Sequence, residues 1–276
     1  MGFLFRFLSR LPLPVLHNLG ALAGGLIFCF SPAYRRHLRE NMALAGVGDM
    51  RLAAIAEAGK MILELPKIWL RPQADLLAMI TGVSGWEHAE AARQHGRGVI
   101  VLTPHMGCFE IAGHFIASRM PITTLYRRPH QRWLAPLMEA GRGRAFKLAP
   151  ADAGGVRRLI RALRQGEAIG ILPDQVPGNG EGIWAPFFGR PAWTMTLAAR
   201  LAQTGATPLL VFAERLHYGA GYQLHFQPLS TPLAGDLPAS VAQLNGEIER
   251  LILQGPVQYL WGYNRYKRPA GAPEPQ

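Results

Sequence analysis

The sequence predicts an α/β protein with a mostly parallel central sheet flanked by helices. From residue 75 onward, short apolar runs typical of buried strands alternate with segments of helical periodicity. The clearest strand is Val-Ile-Val-Leu at 99–102, and the clearest helix is 156–163, where Val156, Leu159 and Leu163 share one face. Such alternation is typical of parallel strands joined by helical crossovers.

The remaining elements follow from the same two periodicities. Strands are predicted at 76–80, 122–126, 168–172, 208–214 and 222–226, and helices at 86–94, 110–118, 131–140, 193–203 and 241–252. A glycine- and proline-rich loop follows the strand at 168–172 and ends near residue 182. Residues 1–70 are mostly helical, apolar and basic. We therefore expect a helical N-terminal region at 1–70, an α/β domain at 71–268 and a flexible tail at 269–276.

The composition favours an anionic partner. The chain has a net charge of +11 and a pI of about 10.3, which suits nucleic acid or an anionic lipid surface. Because 49% of the residues are apolar, we favour the lipid surface over charge that serves solubility alone. The two cysteines, Cys29 and Cys108, form no CxxC pair, which argues against a zinc ribbon, a thioredoxin-like motif or a disulfide framework.

An apolar run near the N-terminus is the candidate membrane segment. Arg6 and Arg10 precede the run at 19–30, and Arg35, Arg36 and Arg39 follow it, whereas no Ala-x-Ala cleavage site is evident. The prolines at 12 and 14 are expected to interrupt the run, which is shorter than the roughly 20 residues of a span. We interpret it as an interfacial or re-entrant anchor. A single span and a buried core helix remain the alternatives.

The segment 103–110, Thr-Pro-His-Met-Gly-Cys-Phe-Glu, is the strongest candidate for chemistry. Positions i and i+5 lie about 140° apart on one helix, so His105 and Glu110 meet only if His105 precedes the helix and the chain bends back. Pro104 and Gly107 permit that bend. Glu110 is then predicted to orient the imidazole of His105, as a carboxylate does in hydrolase triads. Loops at the carboxyl ends of parallel strands also bind ligands in α/β sheets.

Other interpretations of this segment stay open. In one of them, His105 is a surface histidine near the start of a helix, and the dipole of that helix favours the carboxylate of Glu110. A metal site would combine both with His114, but no strong zinc spacing is present and we predict no metal. Cys108 can be a nucleophile, although its apolar surroundings favour a packing role. The chain has no GxSxG elbow or Walker A loop, and its glycines at 178–182 lack the Rossmann spacing.

Six short blocks occur in order along the chain. They are Leu-Pro-Leu-Pro at 11–14 with Arg35, Arg36 and Asn41; the segment 103–110; Tyr-Arg-Arg-Pro at 126–129; Arg-Gly-Arg-Ala-Phe at 142–146; Leu-Pro-Asp-Gln at 172–175 with Gly182, Pro-Phe-Phe-Gly at 186–189 and Pro191; and Pro256, Gln-Tyr-Leu-Trp at 258–261, Arg265 and Lys267. Through them, residues 10–268 resemble the lipid A biosynthesis acyltransferases, the late acyltransferases of Gram-negative bacteria within the lysophospholipid acyltransferase superfamily. Many members have asparagine and tryptophan inside the H-x4-E motif, where this chain has Met-Gly-Cys-Phe.

This resemblance implies the reaction. The enzyme would be an O-acyltransferase at the cytoplasmic face of the bacterial inner membrane, with His105 and Glu110 as its catalytic pair. It would move a fatty acyl chain from an acyl carrier protein thioester to a hydroxyl of a lipid A precursor. Its partners would be the carrier protein, the lipid acceptor and the membrane, without nucleic acid, metal or any other cofactor.

The resemblance also implies roles for further residues. Arg142 is the candidate donor to the oxyanion of the tetrahedral intermediate, with pairing to a carboxylate as the alternative. Arg127 and Arg128 would bind phosphates or sugar acids of the acceptor, or form a solvated basic face. Asp174 would support the site or only its turn.

Two rival functions differ in testable ways. A lysophospholipid acyltransferase usually has H-x4-D and F-P-E-G blocks, whereas this chain has Glu110 and Pro-Phe-Phe-Gly at 186–189. A non-catalytic protein that binds anionic lipid or nucleic acid would use the charge of +11. Nucleic-acid binding predicts aromatic residues interleaved with basic ones, which the sequence does not show. Replacement of His105 separates an enzyme from a binding protein.

Overall fold

The computed structural model describes residues 2–127, 129, 131, 133–178, 181–233 and 235–275. Within these residues the helices are α1 (Gly2–Arg10), α2 (Leu13–Phe30), α3 (Pro32–Leu44), α4 (Arg51–Leu70), α5 (Gln73–Leu77), α6 (Trp86–Gln94), α7 (Phe109–Arg119), α8 (Ala135–Arg142), α9 (Ala153–Arg164), α10 (Leu197–Ala202) and α11 (Leu237–Ile252). The strands are β1 (Ile80–Ser84), β2 (Val99–Leu102), β3 (Ile122–Tyr126), β4 (Lys147–Pro150), β5 (Ala168–Ile171), β6 (Gly182–Phe187), β7 (Arg190–Met195), β8 (Thr207–Arg215) and β9 (Tyr222–Pro228).

Seven strands form one central sheet in the order β1-β9-β8-β2-β5-β3-β4. The five strands from β8 to β4 are parallel to one another, and β9 runs antiparallel to β8. Every residue of β2 and β5 is buried, as expected for inner strands covered on both faces. The predicted fold class, a mostly parallel sheet flanked by helices, is confirmed.

The N-terminal helices contribute to the two cores that cover the sheet. Leu38, Met42 and Ile55 from α3 and α4 lie in one core cluster with side chains of α9 and α11. Ile68 and Trp69, at the end of α4, lie in the other cluster with side chains of α7. The first 70 residues therefore pack into the α/β fold, while the predicted domain boundaries themselves stay a prediction.

Two predicted elements are wrong, because the local sequence pattern placed them at the wrong residues. The segment 76–80 was expected as a strand, but α5 covers Gln73–Leu77 and the strand starts at Ile80. Pro72 stands immediately before α5, a position where its fixed φ favours helix initiation. The helix expected at 193–203 is shorter, because Trp193 lies in β7 and pairs with Trp184 of β6.

The β6–β7 hairpin closes through a tight two-residue turn. Phe188 and Gly189 both have positive φ angles, 46° and 72°, as type I′ hairpin turns require. This conformation is unusual for an aromatic residue. The Phe188 N–H donates to Glu249 Oε1 at 2.8 Å, and its ring packs against Trp261 at 5.7 Å, so tertiary contacts hold the turn.

The apolar helix α2 begins earlier than the sequence suggested. Pro12 precedes it and Pro14 lies in its first turn, where the missing N–H has no intrahelical partner to lose. The prolines therefore start the helix instead of interrupting it. Within the described residues, α2 is the one helix long and apolar enough to cross a membrane, with a mean hydropathy of 1.7 and 28% of its residues buried.

Three glycines let α2 lie directly on α4. A Cβ on Gly24 would lie 2.2 Å from the Ile55 carbonyl oxygen, and one on Gly59 would lie 1.9 Å from the Gly20 carbonyl oxygen. Both distances are shorter than any real Cβ contact, so the backbones can approach only because these side chains are absent. The contact fixes α2 along α4.

We predict that Gly24→Ala and Gly25→Ala have opposite effects on stability. Gly25 has open space around its Cβ position, so its substitution should stabilise the helix by about 0.5–1 kcal/mol. Gly24→Ala should destabilise by about 1–3 kcal/mol through overpacking, a fall in Tm of roughly 2–4 °C per kcal/mol. Thermal unfolding of the detergent-solubilised protein measures both. Equal Tm values for the two variants would contradict the close helix contact.

Candidate active site

His105 lies on a turn at the carboxyl edge of the parallel strands. The turn follows β2 and ends where α7 begins at Phe109. Its backbone is fixed on both sides: Gly107 N–H donates to the Gln258 carbonyl at 3.0 Å, and the His105 carbonyl accepts from Leu260 N–H at 3.0 Å. Gly107 has a φ of +54°, and a Cβ there would lie 2.0 Å from the Ala213 carbonyl oxygen. Only glycine fits this position.

Asp174 holds the His105 side chain. Its Oδ1 lies 2.9 Å from His105 Nδ1, and its Oδ2 accepts the His105 backbone N–H at 3.0 Å. Leu102 pairs with Ile171 across β2 and β5, so residues 105 and 174 each lie three positions beyond a paired residue. The adjacency of the two strands therefore brings the pair together.

The electrostatics of this pair define the protonation of the imidazole. Burial raises the pKa of Asp174, but the charge and hydrogen bonds of His105 outweigh it and lower the pKa below its ordinary value. An ionised carboxylate only accepts hydrogen bonds, so when the imidazole carries a single proton that proton lies on Nδ1 and Nε2 presents a lone pair. The side chain of His105 is 20% exposed whereas that of Asp174 is 3% exposed. Nε2 is thus the nitrogen that remains free of Asp174.

Glu110 does not orient His105 as the sequence analysis predicted. Its carboxylate is bound by Arg142, whose Nε lies 3.1 and 3.0 Å from the two oxygens and whose Nη2 donates to Oε1. The side chain of Glu110 is 4% exposed, so this charge needs a close partner. The bend in the turn brings His105 to Asp174 and leaves Glu110 in the first turn of α7, where it faces the end of α8.

Arg142 is consequently part of a buried ion pair. Burial lowers the pKa of Arg142, but the charge of Glu110 outweighs it and raises the pKa above its ordinary value. The geometry shows the alternative role of Arg142, which is to pair with a carboxylate. Two of its nitrogens bind Glu110, and Nη1 makes no hydrogen bond within the described residues.

The two arginines expected at the acceptor side differ in what the structure describes. Arg127 directly follows β3 and is exposed, and a Cβ on Gly178 would lie 3.6 Å from its Nη2. It therefore reaches the glycine-rich loop that follows Asp174. Arg128 lies outside the described residues, so its predicted role stays a prediction.

A buried charge network behind the turn was missed by the sequence analysis. Arg215, at the end of β8, donates to the Gly107 carbonyl at 3.0 Å. The same guanidinium binds Glu64 of α4 at 3.0 and 2.5 Å and Glu57 at 2.6 Å. Arg215 and Glu64 are 3% and 1% exposed. Because 151 positions separate them, no local sequence signal links them.

This network also ties α2 and β9 to the site. His17 Nε2 lies 3.3 Å from Glu64 Oε2, and the Tyr222 hydroxyl donates to the same oxygen at 2.9 Å. Burial raises the pKa of Glu64, but the charge of Arg215 and the His17 contact outweigh it and lower the pKa to about 2. The carboxylate is therefore ionised although fully buried.

The C-terminal segment encloses the other side of the turn that carries His105. Tyr259 forms an isolated backbone bridge with Met106, and Asn41 of α3 donates to the Trp261 carbonyl at 2.7 Å. Burial and then the charge of Asp174 raise the pKa of Tyr259 well above its ordinary value. Arg265 is buried and donates to the Trp193 carbonyl at 2.7 Å. Residues of the first and last predicted blocks thus meet at the site.

Cys108 and His114 are poorly suited to the alternative roles of nucleophile and metal ligand. Cys108 is buried, and burial followed by the charge of Glu64 raises the pKa of its thiol well above the ordinary value, which disfavours a thiolate nucleophile. His114 packs edge-on against Phe146, and burial lowers its pKa to about 4. In the described part of the chain, no three His, Cys, Asp or Glu side chains are grouped as metal ligands.

A mostly apolar pocket adjoins the Glu110–Arg142 pair. It lies among the strands β2, β3 and β5 and the helices α7 and α8, and its apolar walls include Val101, Ile116, Ile122, Phe146 and Leu172. Gly113 and Gly170 also line it. The arrangement offers a base, a buried cation and an apolar recess at one sheet edge.

Known acyltransferases are similar to this chain over most of its length. A family model described as "Bacterial lipid A biosynthesis acyltransferase" matches residues 2–268. The chain is 30% identical over 273 residues to the lipid A biosynthesis palmitoleoyltransferase of Escherichia coli (strain K12), a match that covers 95% of this chain and 88% of that protein. It is 27% identical over 275 residues to the lipid A biosynthesis lauroyltransferase of the same organism, which covers 96% and 89%.

A more distant relative acts on another lipid. The phosphatidylinositol mannoside acyltransferase of Mycobacterium tuberculosis is 26% identical over 243 residues, which cover 80% of this chain and 74% of that protein. Its name also describes an acyltransferase whose acceptor is a glycolipid.

We predict that Glu64→Gln flattens the dependence of stability on acid pH. Because the folded pKa of Glu64 is lowered from 4.5 to about 2, its contribution is complete above pH 4.5 and is lost as pH falls toward 2. A shift of this size corresponds to about 3 kcal/mol. Removing the charge also leaves Arg215 unpaired, which should cost about 3–5 kcal/mol at neutral pH.

Denaturant unfolding at pH values from 7 down to 3 measures both effects. Glu87→Gln, at an exposed position of α6, is the control and should leave the curve of the parent unchanged. If the stability of Glu64→Gln depended on acid pH in the same way as that of the parent, the buried carboxylate would not hold its charge as described.

Proposed function

Since this chain belongs to the family of bacterial lipid A biosynthesis acyltransferases, we propose that it transfers a fatty acyl chain from an acyl carrier protein thioester to a hydroxyl of a lipid A precursor. The observation that carries the proposal is the His105–Asp174 pair, in which an ionised carboxylate leaves the accessible Nε2 of His105 basic. Such a group is what a hydroxyl needs before it attacks a thioester.

In the proposed mechanism His105 is the general base. Its Nε2 takes the proton of the lipid hydroxyl while the oxygen attacks the thioester carbonyl carbon. The tetrahedral intermediate collapses, the C–S bond breaks, and the imidazolium returns the proton to the departing thiolate. The products are the ester and the free thiol of the carrier. No metal ion or other cofactor takes part in these steps.

Asp174 takes the role that the sequence analysis gave to Glu110. It fixes the Nδ1–H tautomer and stabilises the imidazolium that forms after proton transfer. Glu110 instead positions Arg142, whose Nη1 is the proposed donor to the oxyanion. A buried cation is effective there because its charge is weakly screened.

The surroundings of the pair support the assignment of substrates. The apolar pocket beside Glu110 and Arg142 suits the hydrocarbon of the acyl group. Arg127, which is exposed directly after β3, suits a phosphate of the acceptor. The proposed location is the cytoplasmic face of the bacterial inner membrane, where a soluble carrier protein and a membrane-embedded acceptor meet. The charge of +11 is assigned to lipid and carrier contacts and not to nucleic acid.

We predict that His105→Ala abolishes acyl transfer. Loss of the general base should lower the rate by about 10²–10⁴-fold. The assay uses membranes that contain the protein, labelled acyl-acyl carrier protein as donor and a tetra-acylated lipid A precursor as acceptor. His95→Ala, an exposed histidine at the end of α6, is the matched control and should remain fully active.

The acceptor arms of this assay separate the rival functions. Label that moves only to a lysophospholipid or to a phosphatidylinositol mannoside would keep the chemistry and overturn the lipid A acceptor. Transfer that is absent with every acceptor, or unchanged in His105→Ala, would overturn the proposed mechanism and favour a binding protein.

We predict that Asp174→Asn lowers turnover by about 10³-fold with little change in Tm. The His105 backbone N–H must still be accepted by the one amide oxygen of asparagine, so the NH₂ group faces Nδ1. That contact requires Nδ1 to accept and places the proton on Nε2, which can then no longer act as base. Steady-state rates and thermal unfolding of the same preparation separate the two effects.

Glu110→Gln provides the comparison. It leaves the His105–Asp174 contact intact and leaves Arg142 buried without its partner charge, so stability should fall by about 3–5 kcal/mol. If Asp174→Asn kept parental turnover while a folded Glu110→Gln lost it, Glu110 and not Asp174 would orient the imidazole during catalysis.

A further inference from the structure

Helix α9 has an exposed basic side that the proposed mechanism does not use. Its apolar side chains Leu159, Ala162 and Leu163 are buried against the sheet, and the helix contains no acidic residue. All four arginines of the helix are exposed, and their spacing places them within about a third of the helix circumference. We call these residues the α9 arginine face: Arg157, Arg158, Arg161 and Arg164.

The α9 arginine face lacks acidic partners in the part of the chain that the structure describes. None of its guanidinium groups forms an ion pair or a hydrogen bond there. The two acidic residues nearest in the sequence already have partners: Asp152 accepts the Gly155 N–H at 2.8 Å, and Glu167 Oε1 lies 2.9 Å from Lys147 Nζ. Like charges three or four residues apart on a helix repel one another, and an anionic partner would relieve that repulsion.

The α9 arginine face begins at the same edge of the sheet as His105. Helix α9 follows the carboxyl end of β4, and just before it the Ala151 N–H donates to the Tyr126 carbonyl at the end of β3 at 3.0 Å. In the order β2-β5-β3-β4, β4 lies three strand positions from β2, which is roughly 15 Å at about 4.8 Å per strand. Arg157 and Arg158 lie about one helical turn beyond the start of α9. The face is therefore beside the candidate site but not in it.

The chemistry of this face fits an acidic protein better than a bilayer or a nucleic acid. Helices that dock on membranes insert large apolar side chains, but residues 134–178 and 181–217 contain no exposed large apolar side chain. Nucleic-acid binding predicts aromatic residues between the basic ones, and α9 has no aromatic residue. Guanidinium groups bind carboxylates through paired hydrogen bonds. The matching partner is therefore a protein surface rich in carboxylates.

We propose that the α9 arginine face is the docking surface for the acyl carrier protein, a small acidic protein that delivers the acyl thioester. The inference rests on the proposed function, in which such a protein is the donor, and it assigns the place where that donor binds. The carrier holds its thioester on a flexible arm, so it binds beside the site while the carbonyl carbon reaches His105. Complementary charge speeds the encounter and fixes the orientation of the two proteins.

Direct binding tests the docking surface without turnover. The probe is a fluorescently labelled acyl carrier protein whose acyl chain is joined to the arm through an amide, so that it cannot be transferred. Fluorescence anisotropy measures its binding to the full chain in detergent. We expect Arg158→Glu with Arg161→Glu to weaken binding about tenfold or more, because attraction becomes repulsion at two contacts. Binding of the parent should also weaken as salt is added, since salt screens exposed charges.

The matched control changes the net charge equally on the other face of the sheet. Arg93→Glu with Arg119→Glu alters two exposed arginines in the last turns of α6 and α7, and these helices belong to the core cluster opposite α9. This variant should bind the carrier protein like the parent. Arg158→Gln with Arg161→Gln removes the two charges without adding negative ones and keeps good helix formers, so it should lose less affinity. Thermal unfolding checks that each variant folds.

Steady-state kinetics separate docking from a structural role of α9. With the acyl carrier protein thioester as the varied donor, Arg158→Glu with Arg161→Glu should raise KM about tenfold and leave kcat at the parental value. The reason is that the reacting groups at His105 are untouched and only the binding of the donor is weakened. A fall in kcat at an unchanged KM would instead mean that the substitutions disturb the site through the fold, and it would overturn the docking surface.

The outcomes distinguish this inference from the proposed function. Parental carrier affinity in Arg158→Glu with Arg161→Glu, or an equal loss in the control, would overturn the docking surface alone. Parental carrier binding with lost binding to vesicles of phosphatidylethanolamine and phosphatidylglycerol would make the face a lipid contact and also overturn it. Carrier binding through the face without transfer to any lipid acceptor would overturn the proposed function and leave the docking surface in place. A parent that binds no carrier protein would overturn both.

Discussion

One buried guanidinium, that of Arg215, connects the parts of this molecule. It neutralises Glu64 and Glu57 of α4 and donates to the Gly107 carbonyl of the turn that carries His105, while the backbone of Arg215 exchanges hydrogen bonds with the side chain of Gln258 in the C-terminal segment. A charge removed from water must be matched by close partners, and here those partners come from α4 and from the turn that carries His105. The N-terminal helices, the turn that carries His105 and the end of the chain therefore adopt their relative positions together.

Two side-chain pairs with different roles lie at the edge of the sheet. Asp174 faces the histidine and fixes its protonation, whereas Glu110 faces Arg142 and keeps a cation in place beside an apolar pocket. Each carboxylate is compensated by its own positive or proton-bearing group. The H-x4-E spacing thus reflects a turn followed by a helix start, in which the two named residues point to different neighbours.

The same packing connects the N-terminal helices to the candidate site. The contact of His17 with Glu64 joins α2 to the charge network, and Phe5, Trp69 and Gly141 join α1 to α8. Close backbone contact at Gly20, Gly24 and Gly59 makes α2 part of the folded domain although its outer side is apolar.

The sequence alone determined the fold class, the boundaries of β2 and β3 and the position of His105 at a strand end, because hydrophobic period and turn residues are local properties. It also named Asp174, Glu110 and Arg142 without pairing them correctly. Those pairs depend on which strands become neighbours: β5 lies beside β2, so Asp174 reaches His105 across 69 positions, and Arg142 reaches Glu110 across 32. Tertiary structure likewise decided three further features: the Arg215–Glu64 pair, the β6–β7 hairpin and the close contact of α2 with α4. Each arises from contacts between distant segments, and a local pattern does not show which distant residue will become the partner of a buried group.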